Sequence, residues 1–359
     1  MNAVANMLVK PTIELMERGL MPDFVIRQGI RRLLKERLRN LQSELKQSGQ
    51  SREQFNQQFF QRLWSGPVAV DTDKANQQHY EVPADFYDLV LGPNKKYSCC
   101  FFDSAAGDNS ADLEQAEKNS LNLTCQHAQL VNGNSILELG CGWGSLTLWM
   151  ARHFPDSQIT AVSNSHSQQR YISAQAEQRG LSRQIQVVTC DINLFVPKQK
   201  FDRIVSVEMF EHVRNHRTLM NRIADWLEPE GRLFVHIFCH RDFCYPFETE
   251  GASNWMGQYF FTGGIMPNQE LLPAAAERLQ TLKQWIWNGR HYEKTSNLWA
   301  ANMDRHKETI LRQFEKVYGP GQGLRWFYRW KIFFLACAEL FGTREGNEWF
   351  VQHTLFSRK

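Results

Sequence analysis

Between residues 117 and 239, short apolar runs alternate with stretches in which apolar residues recur every three or four positions. The runs Ile136–Leu139, Ile159–Val162, Ile185–Val188, Ile204–Val207 and Leu233–Phe238 have the length and the β-branched content of buried strands. Between them, Leu146–Phe154, Gln168–Arg179 and Leu219–Leu227 carry the helical period. Such alternation predicts a doubly wound, mostly parallel sheet with helices on both faces. Pro229-Glu-Gly231 marks a turn before the fifth strand.

The flanks follow other rules. From residue 11 to about 64 the pattern is helical: Ile13, Leu15, Met16 and Leu20, then Phe24, Ile26, Ile30, Leu33, Leu34 and Leu38. Arg27, Arg31, Arg32, Lys35, Arg37 and Arg39 crowd the second of these helices. A basic amphipathic helix suits an anionic membrane, a face packed on the domain, or a dimer mate. Ser65-Gly-Pro67 marks a joint. Residues 240 to about 280 break the rhythm with aromatics, glycines and Pro267. An insertion there, beyond the carboxyl end of a strand, is placed to cover a substrate. The tail adds a strand at Gln284–Ile286, two helices near 295–316 and 323–341, and a last strand at Trp349–Phe356. The chain therefore divides into a helical region (1–66), a covering segment (67–116), a nucleotide-type core (117–239), an insertion (240–283) and a C-terminal completion of a seven-stranded sheet (284–359).

Composition changes little in this picture. Hydrophobic residues at 42%, with 24 Phe and 11 Trp, supply a large core. A net charge of +3 is too small to argue for nucleic acid as partner. The eight cysteines form no C-x-x-C pair, which leaves no metal spacing and suggests reduced thiols in a cytoplasmic protein. Ile332–Phe341, the most apolar late stretch, is interrupted by Glu339 and too short to span a bilayer.

Chemistry enters at Ser135-Ile-Leu-Glu-Leu-Gly-Cys-Gly-Trp-Gly144, a strand followed by a glycine turn and a helix. This arrangement lets backbone approach a bound nucleotide. A dinucleotide fingerprint needs its third glycine at position 145, where this chain has Ser145. The spacing is instead G-x-G-x-G, with Glu138 two residues ahead of Gly140. It resembles the S-adenosylmethionine loop of Rossmann-like methyltransferases. At the end of the second strand, Val162-Ser-Asn-Ser165 lacks the acid that an NAD reader would use on the ribose. Asn164, 24 residues past Gly140, can still donate and accept there. Cys190-Asp191-Ile192 offers a carboxylate for an adenine amino group, or simply a surface loop, and Asp202 reads as structural.

Five segments then occur in order: His79-Tyr-Glu-Val-Pro83, Tyr97-Ser-Cys-Cys-Phe-Phe102, Glu138-Leu-Gly-Cys-Gly142, Ser163-Asn-Ser-His-Ser-Gln168 and Val207-Glu-Met-Phe-Glu-His212. Together they resemble the cyclopropane fatty acid synthase family of methyltransferases, and within it the coclaurine N-methyltransferase branch, which methylates benzylisoquinoline amines in plants. The resemblance runs from Arg18-Gly-Leu-Met-Pro22 to the Trp349 strand. It implies a class I Rossmann-like methyltransferase fold and S-adenosylmethionine held by Tyr97, Ser98, Glu138, Gly140, Gly142, Gly144, Asn164, Gln168, Asp191 and Ile192. Glu208, Glu211 and His212 match the amine site of the N-methyltransferase branch, and Glu81 an amine-contacting stretch. The lipid-modifying branch has glycine at the position of Glu208. Yet His236 and Tyr292 match that lipid branch, where with Cys99 and Glu211 they would hold a bicarbonate base.

The two chemistries ask for different things. An alkylamine is mostly protonated at neutral pH and must lose a proton before it can attack a sulfonium methyl. Glu208, Glu211 and His212 fall at i, i+3 and i+4, on one face if the strand end turns into helix. A carboxylate pair would attract the ammonium, and a neutral imidazole would take or relay the proton. An alkene acceptor instead leaves a carbocation that needs a nearby base, which bicarbonate supplies. His236 and Tyr292 also read as core residues. Trp255, Tyr259, Phe260, Phe261, Trp285, Trp287, Trp299, Trp326 and Trp330 read either as core or as a π-lined wall for an ammonium. The expectation is an amine N-methyltransferase without a metal. A cyclopropane-type lipid enzyme is the alternative, and an idle cofactor-binding protein is disfavoured by the intact Glu208, Glu211 and His212.

Overall fold

A computed structural model describes residues 11–70, 82–103, 112–251 and 254–359. Its sheet consists of β1 (Ser135–Leu139), β2 (Gln158–Ser163), β3 (Ile185–Thr189), β4 (Phe201–Val207), β5 (Leu227–His240), β6 (Leu279–Trp287) and β7 (Trp349–Arg358). The spatial order is β3-β2-β1-β4-β5-β7-β6. Strands β1 to β5 pair in parallel, and β7 runs antiparallel between β5 and β6. The order reverses between β1 and β4, which opens a crevice at their carboxyl ends.

The main helices are α1 (Asp23–Ser48), α2 (Arg52–Trp64), α3 (Ala84–Val90), α4 (Leu113–His127), α5 (Ser145–His153), α6 (His166–Gln178), α7 (His216–Trp226), α8 (Arg290–Arg305), α9 (Lys307–Tyr318) and α10 (Gly323–Gly342). Their ends follow local chemistry. Ser51 and Gln54 form a capping box at α2. Asn215 caps α7, and its amide also donates to Trp64 and Gly66 carbonyls, tying the Ser65-Gly-Pro67 joint to the sheet.

Three expectations change. The fifth strand begins at Leu227, where it pairs with Phe201, and resumes pairing at Arg232 opposite Arg203. The Pro229-Glu-Gly231 turn therefore sits inside β5 as an irregularity. The helical pattern near 295–316 breaks at His306 into α8 and α9, each long enough to present its own apolar face to one core. Strand β6 is longer than Gln284–Ile286 because it is an edge strand, and its exposed Gln280, Thr281 and Lys283 carry no apolar signal.

An aromatic-rich core lies under α1, α3, α8, α9 and α10. The basic helix α1 is packed on the domain: Arg27 (2.8 Å) and Arg31 both bind the Glu339 carboxylate of α10. Burial opposes ionisation of Glu339, but Arg31 and Arg27 together hold its carboxyl below the ordinary range. The Ile332–Phe341 stretch is the buried heart of α10, and no helix among the described residues is long and apolar enough to cross a membrane.

Gly289 fixes how α8 leaves the sheet. A Cβ there would lie 2.2 Å from the Trp349 carbonyl oxygen and 2.3 Å from that of Phe341. Both neighbours are backbone and cannot swing aside. Gly289→Ala should cost about 1–3 kcal/mol as an overpacked contact. The measurement is the urea midpoint at unchanged m-value, and an unshifted midpoint would mean that the junction is loose.

Candidate active site

Strand β4 ends at Val207, and the next residue, Glu208, has a left-handed φ of +48°. A non-glycine side chain seldom takes this conformation outside places where the surroundings impose it. Here the Glu208 N–H donates to the His236 carbonyl (2.9 Å). Its carboxylate receives three hydrogen bonds from three segments: the Cys99 N–H at 3.0 Å, His236 Nε2 of β5 at 3.1 Å and the Tyr292 hydroxyl of α8 at 2.7 Å. Burial opposes ionisation of Glu208, but His236, the nearby Lys96 ammonium and the Cys99 N–H together hold the carboxyl below the usual range. Lys96 is itself buried, its ammonium donating to Ser98 Oγ and the Cys99 carbonyl at 2.6 Å each.

Glu211 behaves in the opposite way. It sits in a short 3-10 turn, Phe210–His212, and its Oε1 accepts the Phe238 N–H at 2.9 Å. Its Oε2 is buried without a hydrogen-bond partner. Burial, and then the charge of Glu208, push its carboxyl well above the ordinary value. The expected pair of carboxylates is therefore one carboxylate and one neutral acid, because two like charges so close cannot both ionise in a dry site. The expected shared face fails too: the 3-10 turn leaves Glu208 and His212 on a cavity wall and turns Glu211 inward against β5. His212 is held neutral by burial, its pKa pushed down to about 4, and it stacks parallel to Phe261 at 5.6 Å.

The cavity opens at the carboxyl ends of β1 and β4. Tyr97, Ser98, Glu138, Gly140, Gly142 and Gln168 line it together with Glu208, His212 and Tyr292. Glu138 accepts a hydrogen bond from the Thr147 hydroxyl, and burial pushes its carboxyl up to about 8. Gly142 has φ +51°, and a Cβ there would meet no protein atom within 4 Å, so the loop leaves open space on its cavity side. Three buried polar atoms in the same wall lack a protein partner: Gln168 Nε2, Ser145 Oγ and Trp143 Nε1. Open space beside a glycine loop, bordered by orphaned donors, fits a polar nucleotide-type cofactor.

Other expected residues lie elsewhere. Gly144 starts α5, and a Cβ on it would strike Ile172. Asp191 is absent from the cavity wall, its carboxylate accepting from the backbone and side chain of Asn193 (2.7 and 2.9 Å). Asn193 in turn bonds Ala69, so this loop anchors the joint after α2. Ile192 packs against the apolar core, Asn164 is half-buried just beyond β2, and neither lines the cavity. Glu81 lies outside the described residues. Of the aromatics, Phe261 and Trp299 reach the wall, while Trp285 and Trp287 pack on the far side against His127, His236 and His353. Lys96, Phe238, Phe333 and Cys337 line the cavity and were not expected. Only Lys96 carried a signal, its place directly before the Tyr97-Ser-Cys segment.

Comparison with known proteins gives the family and the fold. Residues 70–349 match the family described as mycolic acid cyclopropane synthetase. An (S)-coclaurine N-methyltransferase of Thalictrum flavum subsp. glaucum is 32% identical over 98% of this chain and 96% of its own length. A crystal structure of coclaurine N-methyltransferase bound to N-methylheliamine and SAH superposes with a TM-score of 0.90 at 31% identity, covering 98% of this chain and 100% of that one. A cyclopropane-fatty-acyl-phospholipid synthase of Escherichia coli (strain K12) is 28% identical over 85% of this chain and 70% of its own length.

The raised carboxyls set a pH dependence. Glu211 and Glu138 hold a proton in the fold at pH values where the unfolded chain, with ordinary carboxyls, does not. The native state then binds more protons than the unfolded one, so stability falls as pH rises from the ordinary carboxyl range through about 8. Glu211→Gln mimics the neutral acid and should flatten part of this decline. Denaturant midpoints measured from acid to mildly alkaline pH would check it, and parallel curves for the two proteins would refute the protonated Glu211.

Proposed function

The chain belongs to the mycolic acid cyclopropane synthetase family, and from that premise we propose that it is an S-adenosylmethionine-dependent N-methyltransferase of a small-molecule amine. The observation that carries this reading is the placement of the Glu208 carboxylate among the Cys99 N–H, His236 and Tyr292. By resemblance, those groups would cradle a bicarbonate ion in a lipid-modifying relative. In this chain a tethered carboxylate takes the anion's place, and that supports an acceptor which arrives as a cation.

The Gly140-Cys-Gly-Trp-Gly144 loop, Glu138, Gln168, Tyr97 and Ser98 would hold the cofactor, which supplies a methyl group on a positively charged sulfur. The chain's own residues then do the rest. A carboxylate offers about four lone-pair directions; three are taken on Glu208, and one remains for the ammonium N–H of the acceptor. Glu208 attracts the ammonium and takes its proton, which frees the nitrogen lone pair. Glu211, neutral, keeps the local charge at one. His212 and the faces of Phe261 and Trp299 bound the acceptor's position, where aromatic faces favour a cation and exclude water.

Retention of the His236 and Tyr292 donors favours a second reading, the cyclopropane-type lipid enzyme. Incubation with labelled cofactor, an amine panel including 1,2,3,4-tetrahydroisoquinoline, and vesicles of unsaturated phospholipid separates the two by mass spectrometry. The expected product is an N-methyl amine, formed equally in bicarbonate-free buffer. A bicarbonate-dependent cyclopropyl lipid with no N-methyl product would overturn the assignment.

Two variants test the parts. Glu208→Gly relaxes the left-handed backbone and empties the cradle. Its turnover should fall by about 2–4 kcal/mol of transition-state stabilisation, as for other preorganised charges, and added formate should restore part of it. Native-like turnover would place the amine site elsewhere. Gly142→Val forces a β-branched residue to φ +51° and fills the open side of the loop. Calorimetry should show loss of S-adenosylmethionine binding with an unchanged circular dichroism spectrum, and unchanged affinity would remove the loop from the cofactor site.

A further inference from the structure

The segment that carries Phe261 onto the cavity wall is gripped from a distance. It begins with a five-residue helix, Trp255–Tyr259, and a helix so short owes its place to its neighbours rather than to itself. Two of those neighbours come from the N-terminal helical region. Residues 11–17 form a short helix ahead of α1 that ends in Glu17, whose side chain is only 7% exposed. Glu17 Oε1 accepts the Trp255 indole N–H at 3.0 Å and the Arg329 Nε–H at 3.0 Å, and its Oε2 accepts a second Arg329 N–H at 3.1 Å. Arg329 of α10 in turn lies 4.0 Å over the Tyr259 ring. Trp255 and Tyr259 are one turn apart on the short helix, so both anchors hold the same face of it. From α1, Arg37 donates to the Asn254 side chain at 3.4 Å, just ahead of that helix.

We propose that Glu17 is a positioning residue for the acceptor: it sets how tightly the amine binds by holding the Trp255–Phe261 stretch in place. The proposal rests on the amine reading, which puts the acceptor between His212, Phe261 and Trp299. The path from Glu17 to that wall is short. Beyond Tyr259 the backbone leaves the helix and delivers two rings inward. Phe260 stacks on Phe333 of α10 at 4.4 Å with the rings 9° apart, and Phe261 stacks on His212. Arg325, Arg329, Phe333 and Cys337 follow at intervals of four along one face of α10. The outer end of this stripe pairs with Glu17, Arg325 at 3.5 Å included, and its inner end, Phe333 and Cys337, lines the cavity. A buried carboxylate and its cationic partner each depend on the other staying in place. Glu17 therefore fixes the insertion and α10 to one another at the far end of the stripe that closes the acceptor's side of the cavity. None of the residues assigned to the cofactor takes part: the glycine loop follows β1, Gln168 is on α6, and Tyr97 and Ser98 precede α4. The network acts on the acceptor half of the cavity alone.

The test is calorimetry of 1,2,3,4-tetrahydroisoquinoline on the full chain saturated with S-adenosylhomocysteine, with urea midpoints measured alongside. Trp255→Phe removes one N–H and keeps a ring, and Glu17→Gln keeps the shape and removes the charge. Both should weaken amine binding about tenfold, the scale of one aromatic face lost to a cation. The affinity for S-adenosylmethionine should stay native. In turnover the loss should fall on KM rather than on kcat. A Phe261→Ala background separates positioning from general support. If Trp255 acts through Phe261, adding Trp255→Phe there costs almost nothing more, whereas a merely structural role costs the same factor in either background. Glu17→Gln leaves a buried guanidinium short of its partner, and if that variant does not fold, Trp255→Phe decides alone. Native amine affinity in Trp255→Phe, additivity with Phe261→Ala, or an equal loss of cofactor and amine binding overturns the proposal. If the native chain binds no amine, the N-methyltransferase reading fails first, a result distinct from normal native binding with unaffected variants.

Discussion

The buried negative charge of Glu208 organises the candidate site. Taking a carboxylate out of water costs several kcal/mol unless it is paired and hydrogen-bonded. Glu208 meets that demand with donors from the segment after Lys96, from β5 and from α8, and with a buried ammonium nearby. Each donor commits a different part of the chain. The Cys99 N–H fixes the segment that precedes α4. Tyr292 fixes the first turn of α8, whose exit from the sheet depends on the bare backbone of Gly289. His236 requires β5 to run its full length past the end of β4. The left-handed backbone at position 208 is the strain that this over-determined setting sustains.

From that charge follows the state of its neighbours. Glu211, three residues on and facing dry protein, is held neutral first by its burial and then by the charge of Glu208. On the amine reading, a site with one charge rather than two would attract an ammonium without holding it so tightly that a methylated, still cationic product could not leave. The two neutral imidazole environments divide along the same line. His212 lines the cavity, and the Nδ1 of His236 faces away into the sheet.

The sheet and most of its helices were legible because strand and helix periods are local and strong between residues 117 and 239. The glycine loop was legible because Gly140, Gly142 and Gly144 all take positive φ. What escaped reading depends on long-range pairing. Nothing local in Gly231 says that β5 already pairs at Leu227, and nothing in His306 says that one helix becomes two. The resemblance led to Glu208, Glu211, His236 and Tyr292, but spacing alone made Glu208 and Glu211 equals, whereas the His236 and Tyr292 donors and the Lys96 ammonium that face Glu208 distinguish them. Asp191 reads as an adenine-facing carboxylate or as a loop residue, and in the structure its Oδ1 accepts from Asn193. Glu17 gave no signal at all, since its meeting with Trp255 and Arg329 joins segments far apart in the chain.

The comparison of the two family chemistries turns on tethering. A free anion in the cradle of Cys99, His236 and Tyr292 must be bound at the expense of its own translational freedom, and it can leave. A carboxylate on the chain is always present, its entropy already spent on folding. Its position also changes what can approach. The Glu208 carboxylate stands on the cavity wall with its side chain 10% exposed, where a stable cation can reach it on arrival. On the amine reading proposed above, the same three donors would hold a docking point for an ammonium where a lipid-type relative would use them for a base, and the residue at position 208 would decide between the two.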